Sequence, residues 1–502
     1  MASVKGYLVK YRLVSICMLL LISTACLRFT NLGYSDYHGD EFKAFIAPEP
    51  KESTWQFLLK QRKGPMQFLV SYIPYTITRD FTNEFAERLP FALASCLATV
   101  VFFLFVLKLT KNLTVACVAG FLLLSNGYIT GFGRIAQYQN LNLLFSFSAL
   151  LAYTYLLETG ISRKRKITCS LLGTLFWSMS ILSHWDAVLI LPMVLYIIIK
   201  GLRKDTKIIA LNFLFGCLLI LPFMLPYFLN FKTNDYNQVY LSKRTGFDLE
   251  YSKFPLYKSL TEVYNPYIVI PFLISTSLIS LLHFKKNLPV LIWFMTILIL
   301  FELFVINPGT HIYNFLLPMF ILSGSGVSYI VRTNKYVKLI TIPVTGSLLA
   351  FMYLQTYALF VDHAKEYPYE SKTIRFFGRQ LVAARIDNVK PPYMRGSYIP
   401  LFGFPHNRFW TEINSYVNSQ NTLTNENLRF VTNEDKAFCD NYMDAQYGMG
   451  QNYYAVGIKR PTNFVMDYSF SNVGSKSLVY RINLNDETVV KIYRVRGKTG
   501  HL

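Results

Sequence analysis

The chain has 502 residues, of which 52% are apolar and only 16% charged, and it carries a formal net charge of +21. Soluble domains carry about 25% charge, so this composition speaks against a water-soluble enzyme. The 41 Phe, 35 Tyr and long Leu/Ile runs exclude disorder.

A helix rises 1.5 Å per residue, so about 20 apolar residues cross a hydrocarbon core of about 30 Å. Eleven such stretches are predicted, at 13–29, 89–107, 113–130, 141–157, 167–183, 187–200, 208–229, 266–283, 288–306, 311–331 and 337–359. Only Ser183 to Asp186 separates the short fifth and sixth stretches. With the N-terminus in the cytoplasm, the inner segments hold 18 cations against two acids, Glu158 and Asp205. They supply +16 of the +21, so the basic balance is a topology signal and a nucleic-acid partner has no motivation. The first stretch has a basic start and no clear small-residue cleavage site, and ten spans follow it. It reads as an uncleaved anchor. These features predict a multi-pass protein of the plasma (inner) membrane with an external, periplasmic C-terminus.

Residues 1–359 form the predicted transmembrane domain and 360–502 a small external α/β or α+β domain, with 18 basic and 13 acidic residues. Its end, 477–496, alternates like strands around Asn485-Asp486, a hairpin signal. Residues 409–420 and 436–446 have helical character. Six of the seven cysteines fall within spans and Cys439 is alone in the external domain. No disulfide framework is therefore available outside the membrane.

Two predicted outer loops are long, at 30–88 and 230–265, and loops beyond about 15 residues are usually functional or disordered. The first places Trp55, Phe57, Leu58 and Leu59, then Phe68, Leu69, Tyr72 and Ile73, at helical spacing. This predicts two amphipathic helices on the membrane surface. Within that loop stands His38-Gly39-Asp40-Glu41-Phe42-Lys43, with two adjacent carboxylates about ten residues beyond the first span. A solvated helix N-terminus explains them equally well. Further on come Lys63-Gly64-Pro65 and Glu87-Arg88-Leu89-Pro90, the latter entering the second span.

This ordered set resembles the GT-C superfamily of membrane glycosyltransferases, which use polyprenyl-phosphate sugars. The nearest members are the protein O-mannosyltransferases and the lipid A aminoarabinose transferase. The detailed likeness covers roughly residues 10 to 160. It returns at Thr310-His311-Ile312-Tyr313-Asn314 and at Glu366-Tyr367-Pro368-Tyr369. The resemblance implies a lipid-linked donor and a protein, glycolipid or polysaccharide acceptor. It points to the first acid, Asp40, as general base, with Glu41 the second choice or an orienting group.

The departing phosphate needs cations rather than a strong acid. Lys63, Arg88, Arg134 and His184 are the candidates. Each has a structural alternative: a snorkelling lysine at 63, a pair between Arg88 and Glu84 or Glu87, an ordinary span end at Arg134, and a structural turn at Ser183-His184-Trp185-Asp186. Lys43, Asp186, Glu302, His311 and Tyr313 are further candidate contacts, with Glu302 either facing a cavity or pairing with His311. No metal or other cofactor is firmly expected. His38, Asp40 and Glu41 define no ligand geometry, and Arg62 stands where the lipid A transferase has a glutamate. The second loop carries Tyr236, Tyr240, Phe247, Tyr251 and Tyr257 with Lys243, Arg244 and Lys253, which suit a lid over a lipid-sugar or contact with headgroups. Rival classes are a flippase or transporter of lipid-linked sugars, a polysaccharide ligase or polymerase, and a receptor whose outer domain binds a ligand.

Overall fold

The computed structural model describes residues 2–37, 39–45, 48, 51–59, 64–231, 269–306, 309–364, 366, 371–384, 403–434, 436–461, 475–484 and 486–496. The chain is a polytopic helical membrane protein with a small C-terminal sheet domain. Among the described residues, nine helices are long and apolar enough to span a bilayer. The helices are α1 (Ala2–Phe29), α2 (Thr54–Leu59), α3 (Met66–Thr78), α4 (Glu84–Thr110), α5 (Leu113–Ser125), α6 (Gly127–Phe132), α7 (Tyr138–Thr154), α8 (Arg163–Ser183), α9 (Leu191–Leu202) and α10 (Thr206–Phe231). After them come α11 (Val269–Ser280), α12 (Phe284–Ile299), α13 (Tyr313–Thr333) and α14 (Lys335–Phe360).

Nine and eleven differ for two physical reasons. The predicted span 113–130 breaks at Asn126, whose side chain accepts from the backbone N–H of Tyr128 at 3.0 Å and of Ile129 at 3.4 Å. That cap ends α5 after 13 residues, about 20 Å of rise, and α6 begins after it as a separate helix. The spans 266–283 and 288–306 fall in one apolar stretch, Val269–Phe304, through the 3-10 turn Leu281–His283. The long outer loop contains the two expected short helices, α2 and α3. Phe57, Leu58 and Phe68 form a small cluster there. Residues 232–268, which hold the predicted second loop, lie outside the described residues.

The C-terminal domain is α+β. Helix α15 (Trp410–Thr424) packs on a four-stranded sheet in the order β3 (Arg429–Thr432), β4 (Asn452–Ile458), β6 (Glu487–Arg496), β5 (Ser475–Leu484), with β3 parallel to β4 and the other pairs antiparallel. The predicted hairpin is β5–β6, and Asp486 adopts φ 64° at its turn. A separate two-stranded ribbon joins β1 (Lys372–Phe376) and β2 (Arg379–Ala384). The predicted helix 436–446 is shortened to α16 (Lys436–Cys439).

The domain does not hang free. Trp410, Ile413, Val417, Phe430 and Tyr442 share one core with Tyr37, Ala44 and Phe45 of the first loop and with Phe91, Ala94 and Leu141 of the bundle. Gly403, at φ +75°, lies where an added Cβ would sit 2.5 Å from the carbonyl oxygen of Gly131, so only glycine allows this backbone to meet α6.

Candidate active site

The first acidic loop folds as a 3-10 turn, Gly39–Ala44, which carries Asp40, Glu41 and Lys43. The Glu41 carboxylate is fully buried. It takes a two-pronged bond from Arg88, Nε to Oε1 at 2.8 Å and Nη2 to Oε2 at 2.9 Å. Its Oε1 also accepts the Ala136 N–H at 2.9 Å. The rest of the Arg88 fork donates to the carbonyl oxygens of Leu32 (3.1 Å), Ser35 (2.7 Å) and Asp36 (3.1 Å). All five N–H bonds of a guanidinium are thus spent on the chain. Arg88 pairs with neither Glu84 nor Glu87, and its expected place on the donor phosphate has no free donor to serve it.

Arg134 is likewise turned inward. Its Nη1 donates to the carbonyls of Leu27 (2.9 Å), Arg28 (3.3 Å) and Thr30 (2.9 Å), and its Nη2 to Asn31 (3.1 Å). It closes the C-terminal end of α1, where unpaired carbonyls and the helix dipole favour a cation. Burial, with Arg88 and Arg28 as like charges nearby, lowers its pKa to about 9, so it remains a cation at neutral pH. Arg88, Arg134 and Glu41 do line one cavity, with Asp36 and His406, but its volume of about 20 Å³ holds no more than a water.

A second cluster lies one short step along the chain. The Tyr138 ring stacks on His184 at 3.9 Å, two residues after Ala136 binds Glu41. His184 occupies the sharp turn between α8 and the 3-10 segment Trp185–Ile190. Asp186 is buried and collects the cluster. Its Oδ2 is 2.7 Å from His311 Nδ1 and accepts from the Tyr313 hydroxyl at 3.0 Å and from the Asn314 amide at 3.3 Å. His184 Nδ1 lies 3.1 Å from Asp186 Oδ1. The sequence candidates His184, Asp186, His311 and Tyr313 are therefore one site. His311 pairs with Asp186 and not with Glu302, which sits half-buried in the π turn Leu300–Phe304.

Two imidazoles and a carboxylate with ligand atoms within 4.8 Å of one another are the donor types a first-row divalent ion takes. Among the described residues this trio fits a metal; His38 and the side chain of Asp40 lie outside them.

Lys63 lies outside the described residues. Its neighbour Gly64, at φ +90°, lies where an added Cβ would sit 2.1 Å from the carbonyl oxygen of Leu182. The Lys63 loop thus leaves its glycine against the end of α8, two residues before His184.

Several buried polar residues that tie the loop, the bundle and the sheet domain together were not singled out by the sequence. Arg408 is buried; its backbone N–H donates to Asp36 and its guanidinium to the Tyr37 carbonyl. The Tyr442 hydroxyl accepts the Tyr37 N–H at 2.7 Å and donates to Glu84 at 2.9 Å. Burial holds both phenols, Tyr37 and Tyr442, protonated, well above the usual tyrosine range. Arg28, fully buried, donates to Ser95 (3.2 Å), Thr130 (2.8 Å) and the Leu124 carbonyl (3.2 Å). Only an arginine at the end of an apolar span hinted at it.

Residues 34–236 match the family described as dolichyl-phosphate-mannose-protein mannosyltransferase. By sequence alone, no curated protein matches the chain. Among solved structures, the chain is similar to ArnT from Cupriavidus metallidurans bound to undecaprenyl phosphate, at 13% identity and TM-score 0.55 over 97% of this chain and 98% of that one. The apo form of that protein gives 12% identity and TM-score 0.51, over 98% of both chains. The archaeal oligosaccharyltransferase AglB from Archaeoglobus fulgidus, in complex with an inhibitory peptide and a dolichol-phosphate, gives 11% identity and TM-score 0.55 over 90% of this chain and 70% of that one. The chain therefore has the GT-C fold, and residues 34–236 resemble the protein mannosyltransferases.

Proposed function

We propose that the chain is a glycosyltransferase that moves a sugar from a polyprenyl-phosphate donor to an acceptor at the outer face of the membrane. The acceptor O–H or N–H gives its proton to Asp40 as the acceptor atom attacks the anomeric carbon. The bond from that carbon to the phosphate oxygen breaks, and the lipid leaves as a phosphate monoester, with inversion at the sugar. A phosphate is already a good leaving group, so one carboxylate base and nearby cations suffice.

One observation carries this reading. The Arg88–Glu41–Ala136 clamp fixes the turn that contains Asp40, and Tyr138, two residues beyond that clamp, stacks on the His184–Asp186–His311 cluster. Glu41, Arg88 and Arg134 act as positioning groups. His184, His311 and Lys63 are the groups assigned to the phosphate in this reading. One cation 4 Å from the leaving oxygen at an effective dielectric near 20 contributes about 4 kcal/mol before desolvation, roughly a thousandfold in rate. A divalent ion held by His184, Asp186 and His311 would supply further charge neutralisation at the phosphate.

The undecaprenyl phosphate bound to ArnT and the dolichol-phosphate bound to AglB are lipid phosphates of the kind such a donor releases, which supports the donor class. The lysine-rich end of the bundle supports a cytoplasmic N-terminus and an external sheet domain. The test offers the purified full chain polyprenyl-phosphate sugars and compares it with Asp40→Asn. Loss of transfer in a normally folded variant supports the base; unchanged turnover removes it. Labelling of residues 38–43 from the cytosolic side would overturn the topology.

A further inference from the structure

A cavity of about 770 Å³ opens at the other end of the bundle. Arg88 stands at the outer end of α4 and Lys108, in the cavity wall, 20 residues on, about 30 Å away along the helix. Five lysines line it, Lys108, Lys111, Lys200, Lys285 and Lys286, against one carboxylate, Glu158. Lys108 is already paired with Glu158, whose other oxygen lies 3.5 Å from Arg165. Lys200 donates to the Tyr196 hydroxyl at 3.1 Å. Lys111 is close enough for its charge to act on Glu158 but forms no direct ion pair among the described residues, and neither do Lys285 and Lys286. Deeper, the wall is Leu104, Val115, Leu151 and Val290. At that depth the Ser325 hydroxyl donates to Asn287 at 2.9 Å.

Cations at the mouth and hydrocarbon behind them form an amphiphile's site. The volume falls in the range of ligand pockets, about 300–1,000 Å³, and far exceeds a lone phosphate. Basic pockets between spans at this level take anionic headgroups.

We propose that this cavity binds an anionic phospholipid of the adjoining leaflet. Its phosphate diester lies among Lys111, Lys285 and Lys286, and an acyl chain runs along the Leu104–Val290 wall. The site is separate from the transfer chemistry and stands whether or not Asp40 is the base.

The experiment is native mass spectrometry of the full chain in detergent, titrated with phosphatidylglycerol and with phosphatidylcholine. Wild type should retain phosphatidylglycerol at least about tenfold better, and Lys111→Gln and Lys285→Gln/Lys286→Gln should each weaken it, by about fivefold per lysine. Raising salt to about 0.5 M should erase the preference in wild type, which tests the charge term without any variant. Equal retention of the two lipids, or a preference unmoved by both variants and by salt, overturns the proposal. Displacement of the bound lipid by millimolar inorganic phosphate would assign the site to a free phosphate and overturn the lipid.

Discussion

Arg88 and Glu41 stand 47 residues apart and meet in a buried two-pronged pair, at 2.8 and 2.9 Å. The pair joins the start of a span to the loop turn beside the proposed base. Removing one partner of a buried pair costs about 3–5 kcal/mol, because the other charge is stranded. Arg88→Ala should therefore lower the unfolding temperature markedly in detergent, and Arg88→Lys should not restore it, since an ammonium cannot reproduce the planar fork. An arginine that touched only donor phosphate would instead raise the KM for donor and leave thermal stability unchanged.

Asp40→Asn should behave in the opposite way. Transfer should fall by about 10²–10⁴, the usual contribution of a general base, while thermal unfolding stays within a few degrees of wild type. Parallel pH profiles of the two proteins check the assignment. The wild-type profile should lose its acidic limb in the variant.

Tyr442→Phe should uncouple the external domain from the first loop. The variant strands the Tyr37 N–H and the Glu84 carboxylate oxygen, and an unsatisfied buried group costs about 1–3 kcal/mol. Limited proteolysis should then cut the 30–50 segment faster, and kcat should drop more than KM for donor rises.

Glu366 accepts from Tyr34 and from the Asn407 N–H, both at 3.3 Å, where burial raises its pKa above the ordinary glutamate value of 4.5. The folded state thus holds the proton more tightly than the unfolded one. Its stabilising contribution is present below pH 4.5 and is lost as pH rises through the raised value. Glu366→Gln, neutral throughout, should match wild type in acid and become the more stable protein toward neutral pH. Thermal melts across that window check the sign.

The His184–Asp186–His311 trio makes a metal prediction with a readout besides activity. Mn²⁺ or Zn²⁺ should raise the unfolding temperature of wild type, by about 2.7 kcal/mol of stability at a hundredfold excess over Kd. Asp186→Asn should abolish that shift.

Much of the architecture was legible because hydrocarbon thickness acts locally on the sequence. Most of the spans, the short helices Thr54–Leu59 and Met66–Thr78, and the hairpin at Asp486 follow from composition within a few residues. The break at Asn126 falls inside the predicted span 113–130, where the Leu/Ile run gave no sign of it. The site was legible in its members but not in its pairings. Arg88 was expected on a ligand or on Glu84 or Glu87 and instead reaches Glu41, and His311 reaches Asp186, 125 residues away. Such partners depend on which helices pack together, and periodicity does not encode that. Arg408 and Tyr442 were invisible for the same reason.

The link between Tyr37 and Tyr442 spans 405 residues. At about 5–20 residues per second, a ribosome takes roughly 20 to 80 s to cover that distance. A half-made chain, already threaded through the bilayer, therefore carries its acidic turn without the tail that secures it. That turn is fully held only once the last segment has been made and has docked against it.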